Sequence, residues 1–286
     1  GELLMNQRKS LKELNLLDKF LFDEAMDDPE NVKTMLDIIL SQNTNLKHPP
    51  QTEKEQRTAT DNRQIRLDVY AIDEDDVIYE VEAQKENTHN LPKRSRLYQG
   101  IIDSKLLPPG VVDFNLLNEV LIVLITPFDL FGYGLYRYTF QMKCEEVSEL
   151  KLDDGATRIF LNTRGKHPEL VSPELIELLK YMEHSTDEVS EACESKRIQE
   201  MHRRVCQIRA SEKTEVKYMQ SWEERIMIKQ EGIAEGRIEG EKALLKSLIE
   251  KKMVKKYSAE QISAMLEVDV SEVENIMKEI QNEKYL

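Results

Sequence analysis

The sequence predicts an α/β fold, a mixed sheet flanked by helices and followed by a helical C-terminal extension, and three observations carry that expectation. Residues 65 to 84, IRLDVYAIDEDDVIYEVEAQ, alternate apolar and polar side chains on either side of an acidic turn, as two strands of a hairpin do. The run VLIVLI at 120 to 125 is short, rich in β-branched residues and bounded by polar ones, which suits a strand covered on both faces. From Pro173 onward the chain changes to long helical patterns, beginning with PELIELLKYMEH.

Taken in order, NLLDKFLFDEAM at 15 to 26 reads as the first helix, with Asp18, Asp23 and Glu24 among its apolar residues. The hairpin follows. Pro92 then opens a second helix with KRSRLYQG, since proline is tolerated in a first turn. VLIVLI is the central strand, and GLYRYTF at 134 to 140 and TRIFLNT at 157 to 163 are further strands, with DDGA as the turn before the latter. Alternation in PFDLFGYGLYRYTF favours a core-lining strand over a base-stacking platform. The sheet domain is expected to span 1–172. A helical extension then covers 173–230, a segment with Gly232, Gly236 and Gly240 at four-residue spacing covers 231–257, and a helical hairpin covers 258–286. Glycines so spaced line one helical face and allow close helix approach or oligomer contacts, but each costs about 1 kcal/mol within a helix, so a weak helix or linker is expected. In the hairpin Ser258 is expected to cap one helix, Glu267 to Val270 to turn, and Ser271 with Glu274 to form a capping box on the next. That second helix carries Glu272, Glu274 and Glu279 against Lys278, which suits packing or partner binding better than DNA reading.

With 286 residues, 40% hydrophobic, the chain is long enough for one substantial core and an appendage. No secretory signal is evident and the longest apolar run is too short for a bilayer, so a cytoplasmic protein without membrane association is expected. Cys144, Cys193 and Cys206 are odd in number and widely separated, and His48, His89, His167, His184 and His202 are scattered. No disulfide framework or zinc-ligand spacing emerges. A net charge of −14 is unfavourable for a phosphate binder, although Lys93, Arg94 and Arg96, with Arg63 and Arg66 near the hairpin, can form a locally positive rim.

Successive residues of a strand point to opposite faces, so Glu82 and Gln84 face one way, with Ile78 and Glu80 behind them, and Arg66, Asp68 and Tyr70 share a face of the preceding strand. A loop of three or five residues places Asp68 opposite Glu82, whereas an even loop separates them. Two carboxylates about 4 Å apart repel by roughly 4 kcal/mol at an effective dielectric of about 20, and a divalent cation is one reason to bring them together. Magnesium takes oxygen ligands, and the backbone carbonyl of Ala83, between Glu82 and Gln84, is a natural third. Arg94 and Tyr98 lie four apart on one helical face, placed to reach a phosphate or to brace the carboxylates.

An Asp, a hairpin and then Glu-x-Gln, followed by KRSRLYQG, resembles the PD-(D/E)xK nuclease superfamily, and more narrowly the Rpn family of recombination-promoting nucleases, also labelled PD-(D/E)xK nuclease family transposases. The resemblance runs through NLLDKFLFDEAM, RLDVYA, VEAQ, LPKRSRLYQGIID, PFDLFGYGLYRYTF, DGATRIFLNTRG and YMQSWEE. It implies a restriction-endonuclease-like core and a metal-dependent DNA endonuclease that hydrolyses phosphodiester bonds with Mg2+ or Mn2+, in a setting of DNA recombination or mobile elements. Asp68 and Glu82 become the metal-binding catalytic carboxylates. Gln84 stands where the superfamily has lysine, and a neutral amide positions water rather than activating it. Asp18 is the first-helix acid of choice, against the reading that the helix acids are a solvated face. The helix carrying Arg94, Arg96, Tyr98 and Gln99 flanks the active site and offers substrate contacts, against the reading of an ordinary basic first turn. The alternative is a catalytically silent nucleic-acid or protein-binding module that keeps the fold, with Glu82 bridging to Arg66, or an interaction protein that assembles through its helical tail.

Overall fold

A computed structural model describes residues 9–56 and 65–283, and the chain divides into two compact units, Gly1–Tyr218 and Met219–Leu286. The first unit is α/β. Its helices are α1 (Lys19–Met26), α2 (Pro29–Leu40), α3 (Leu91–Asp103), α4 (Pro173–Glu183), α5 (Asp187–Ala192) and α6 (Lys196–Arg209), and its strands are β1 (Gln51–Gln56), β2 (Ile65–Ile72), β3 (Ile78–Ala83), β4 (Val120–Thr126), β5 (Arg137–Phe140) and β6 (Ala156–Asn162). These strands form one mixed sheet in the order β1-β2-β3-β4-β6-β5. The β1-β2-β3 part is antiparallel, β3, β4 and β6 run parallel, and β5 returns antiparallel to β6.

VLIVLI lies where its composition requires, in β4 between two parallel neighbours. One face of the sheet, with Val69, Val81, Val123 and Ile159, packs against Phe22, Met35, Leu178 and Met201 of α1, α2, α4 and α6. The other, with Ile78, Ile122 and Leu124, packs against Leu91, Tyr98 and Ile102 of α3. Caps set the helix starts: Asp28 accepts from the Glu30 amide ahead of Pro29, Ser172 from Leu175 and Ser195 from Ile198.

Four expectations are corrected. The sheet unit extends past residue 172 to Tyr218, because Ile198, Met201 and Val205 form a buried stripe at helical spacing inside a segment whose average is polar. Strand β1 comes from the polar stretch QTEKEQ, a composition tolerated at a sheet edge. Strand β5 begins only at Arg137, because Asp129 accepts from the amides of Phe131, Gly132 and Gly134 and from the Tyr138 hydroxyl, folding the preceding residues into a loop. The aromatic run packs on itself: Phe131 meets Tyr138, Phe140 and Phe160 with ring centroids 4.8, 4.9 and 5.2 Å apart. The fourth correction is at Ser271, taken up below.

The second unit holds most of α7 (Glu212–Val254), then α8 (Ala259–Leu266) and α9 (Val270–Glu283). Ile249, Ile262, Val273 and Ile280 form its core, so the helical hairpin closes on the last turns of α7. Ser258 and Gln261 form the capping box of α8, and Glu267 ends that helix with φ of 57°. Helix α9 starts two residues earlier than expected, on the carbonyl of Asp269, which places Ser271 within the first turn rather than at the cap. The helix continues through Gly232, Gly236 and Gly240, whose missing side chains would meet no atom within 4 Å among the described residues. Among the described residues no helix is long and apolar enough to cross a membrane.

Candidate functional site

Five residues, Asp73 to Val77, join β2 to β3, the odd loop that sets Asp68 and Glu82 on one face. The pairs Ile72 with Ile78, Ala71 with Tyr79, Tyr70 with Glu80 and Val69 with Val81 fix the register, and Asp68 and Glu82 are the residues one step beyond the last of these pairs. The turn is held by one carboxylate: Asp73 Oδ1 accepts from the amides of Asp75 (3.0 Å) and Val77 (2.9 Å), and Oδ2 from the Tyr79 hydroxyl (2.7 Å).

Three acids result from that register, and all are buried: Asp68 is 6% exposed, Glu80 0% and Glu82 7%. Two cations reach them from opposite sides in sequence. Lys19 Nζ, in the first turn of α1, lies 2.5 Å from Asp68 Oδ1 and 2.9 Å from Asp23 Oδ2. Arg94 Nη2, in the first turn of α3, donates to Glu82 Oε1 at 2.5 Å and to Gln84 Oε1 at 2.8 Å. Both Glu80 oxygens, Glu82 Oε2 and Arg94 Nε are buried without a hydrogen-bond partner among the described residues. Buried carboxylate oxygens in that condition are costly.

Proton affinities record this cost. Burial pushes the Glu80 carboxyl well above the usual range, and the charges of Glu82 and Asp68 push it further. Burial raises Glu82 to about 7, with Asp68 adding to the rise and the Arg94 guanidinium offsetting part of it. The Tyr98 phenol is raised by burial and then by Glu82. Burial alone would lower Lys19, but the charges of Asp68 and Asp23 outweigh it and hold the ammonium up.

Of the residues singled out in the sequence, Asp68, Glu82, Gln84, Arg94 and Tyr98 meet at this cluster. Ala83, the last residue of β3, lies between Glu82 and Gln84. The Gln84 amide is occupied by Arg94 and by the Glu86 carbonyl, to which Nε2 donates at 2.6 Å. Asp18 stands just ahead of α1 and is 2.5 Å from Lys85, the residue after Gln84. Gln99 is buried but donates to Asp103 at 2.9 Å, away from Glu82, and Arg96 is exposed two positions on from Arg94. Arg63 and the side chain of Arg66 lie outside the described residues, and with them the Arg63 and Arg66 rim and the Glu82 to Arg66 bridge.

Glu80 and Lys19 complete the cluster and were missed as site residues, and Asp23, one of the three first-helix acids among which Asp18 was preferred, reaches the cluster through Lys19. Glu80 has a signal in the sequence, since it shares the parity of Glu82 and Gln84. Lys19 has none, because a lysine four residues before an aspartate on a helix reads as a solvated pair.

The donor set fits a hard divalent cation. Asp68, Glu80 and Glu82 offer oxygen donors from buried positions, and two cationic side chains already neutralise part of their charge. No family model matches the chain, and the comparisons with curated proteins and with solved structures give no match either.

Proposed function

We propose that this protein is a metal-dependent DNA endonuclease of the Rpn type, hydrolysing phosphodiester bonds at the Asp68, Glu80 and Glu82 cluster. The observation that carries the reading is the pair of buried carboxylates on β3, Glu80 and Glu82, three of whose oxygens have no hydrogen-bond partner among the described residues, with the buried Asp68 of β2 nearby. A bound Mg2+ or Mn2+ would supply Lewis acidity and lower the pKa of water held there.

The chain's own residues have separate tasks in this reading. Asp68 and Glu82 would hold the cation, and the buried Glu80 carboxyl adds a third acidic group whose charge the cation would offset. Arg94 fixes the Glu82 rotamer and, once a phosphate oxygen enters, is placed to hydrogen-bond it. Gln84 orients Arg94 through its carbonyl oxygen and leaves proton transfer to water. Lys19 holds Asp68 and carries positive charge toward an incoming phosphodiester. Lys93 and Arg96, exposed on α3, supply contacts to a nucleic-acid backbone.

A second reading is favoured by the two ion pairs themselves. Lys19 with Asp68 and Arg94 with Glu82 neutralise these acids without a metal, as a silent binding module that keeps the fold would require. Plasmid nicking separates the two. With Mg2+ or Mn2+ the wild type is expected to nick supercoiled DNA, and Asp68→Ala and Glu82→Ala to lose at least a hundredfold in rate. A wild type inactive with either metal, or three proteins equally active, sinks the nuclease reading.

A further inference from the structure

We propose that Asp187, His202 and Cys206 form a second metal site, for a borderline-soft divalent cation of the zinc class, with its fourth position open to water. In the sequence His202 and Cys206 belong to a set of cysteines and histidines without ligand spacing. The fold supplies the spacing. His202 and Cys206 lie four apart on one face of α6, and the chain reverses before that helix so that Asp187, the first residue of α5, meets them.

The three donor atoms close a small triangle. His202 Nε2 is 2.7 Å from Asp187 Oδ1 and 3.4 Å from Cys206 Sγ, and Sγ is 4.0 Å from the same oxygen. A point about 2.0 Å from all three atoms exists inside that triangle, and zinc lies about 2.0–2.3 Å from oxygen, nitrogen and sulfur ligands. For tetrahedral coordination the Nε2–Oδ1 side has to open and the Sγ–Oδ1 side to close, each by about half an ångström, and the Asp187 side chain, 79% exposed, is placed to make both changes in one movement.

The same geometry argues against a nucleophilic Cys-His-Asp relay. Such a relay needs the acid and the thiol on different ring nitrogens, so that one orients the imidazole while the other exchanges the proton. Here both face Nε2. Nδ1 is 3.0 Å from the hydroxyl of the fully buried Tyr181. A ring nitrogen anchored by a buried partner while the other faces convergent donors is the arrangement that orients a metal-binding histidine. Without metal, the Tyr181 hydroxyl donates to Nδ1 and Nε2–H donates to Asp187. With metal, the imidazole carries its proton on Nδ1 and donates it to Tyr181, and the Cys206 thiol loses its proton to solvent, one proton released per ion bound.

Thiolate and imidazole select zinc over magnesium, which keeps this site chemically separate from the carboxylate cluster on the sheet. The test uses the full chain, stripped with a chelator, kept reduced without added thiol and titrated with Co2+. A thiolate-to-cobalt charge-transfer band is expected to saturate at one ion per chain, to persist in excess Mg2+, to vanish on adding Zn2+ and to be lost in Cys206→Ser. Tyr181→Phe, which keeps the ring, is expected to weaken zinc binding tenfold to a hundredfold. No band in the wild type, or an undiminished band in Cys206→Ser, overturns the proposal. Should Cys206→Ser fail to fold by circular dichroism, Asp187→Asn decides: it sits at an exposed position, and less than a tenfold loss in affinity there is equally fatal.

Discussion

Buried acids occur twice in the first unit under opposite conditions. Asp37 and Asp73 are almost fully buried and fully partnered: Asp37 accepts from the Thr44 amide at 2.5 Å and from Lys33 at 3.0 Å, and Asp73 accepts from two amides and a phenol. Glu80 is just as buried and accepts nothing among the described residues, and Glu82 uses one oxygen of two. The first pair stabilises a helix end and a turn, with each oxygen matched by a donor. The second pair leaves proton-acceptor capacity unused in a dry site, a cost that folding alone gives no reason to bear and that a ligand would offset.

The comparison is broken most severely at Asp73. Asp73→Ala removes two turn hydrogen bonds and strands the hydroxyl of Tyr79, which is 1% exposed. A loss of about 2–4 kcal/mol is expected in urea unfolding at pH 7. The β2–β3 register should also loosen, so Mg2+ binding at the carboxylate cluster should weaken with it. A change below about 1 kcal/mol would mean that the turn is held by its backbone alone and that the contrast between the two kinds of acid is overstated.

How far this contrast is legible in the sequence depends on the range of the interaction. Alternation in IRLDVYAIDEDDVIYEVEAQ shows which side chains share a face, and the odd or even length of the loop was the one missing fact; Asp73 settled it by closing a five-residue turn. Arg94 with Tyr98 was legible from helical spacing. Lys19 was not, because its partner Asp68 lies 49 residues away and is set by how α1 packs on the sheet. Strand β1 was hidden by its polar composition, and α6 by charged neighbours that mask a three-residue apolar stripe. His202 and Asp187 were invisible as partners for the same reason as Lys19: their approach depends on the chain reversal between two helices.

A second way to sharpen the comparison uses pH. A ligand carboxylate must be deprotonated to hold a cation, and Glu82 is raised to about 7 by burial and by Asp68. Apparent Mg2+ affinity is therefore expected to fall about tenfold for each pH unit below 7, roughly 1.4 kcal/mol per unit. Ordinary carboxylates would give a flat profile down to about pH 5. Calorimetric titration of Mg2+ between pH 5.5 and 8 distinguishes them, and a flat profile would show that Glu82 is not a ligand or that its proton affinity is unperturbed.

The smallest expected effect is the most direct test of Glu80. Its carboxyl is raised above the ordinary value near 4.5 by burial and by the charges of Glu82 and Asp68, with Arg94 and Lys19 opposing. For a carboxyl raised on folding, the unfolded chain gives up its proton first, so it binds fewer protons than the folded chain once pH exceeds that ordinary value. Stability then falls as pH rises toward the folded value. Glu80→Gln has no such proton to lose. The variant is expected to match the wild type at pH 4 and to exceed it at pH 8 by about 1 kcal/mol, the scale of one unsatisfied buried group less the cost of the amide that replaces it. Saturating Mg2+ should reverse the order, since an amide contributes no charge to a bound cation. A variant less stable than the wild type at pH 8 without metal would mean that Glu80 is partnered in solution and belongs with Asp37 and Asp73, and the carboxylate cluster would lose its strongest claim to a ligand.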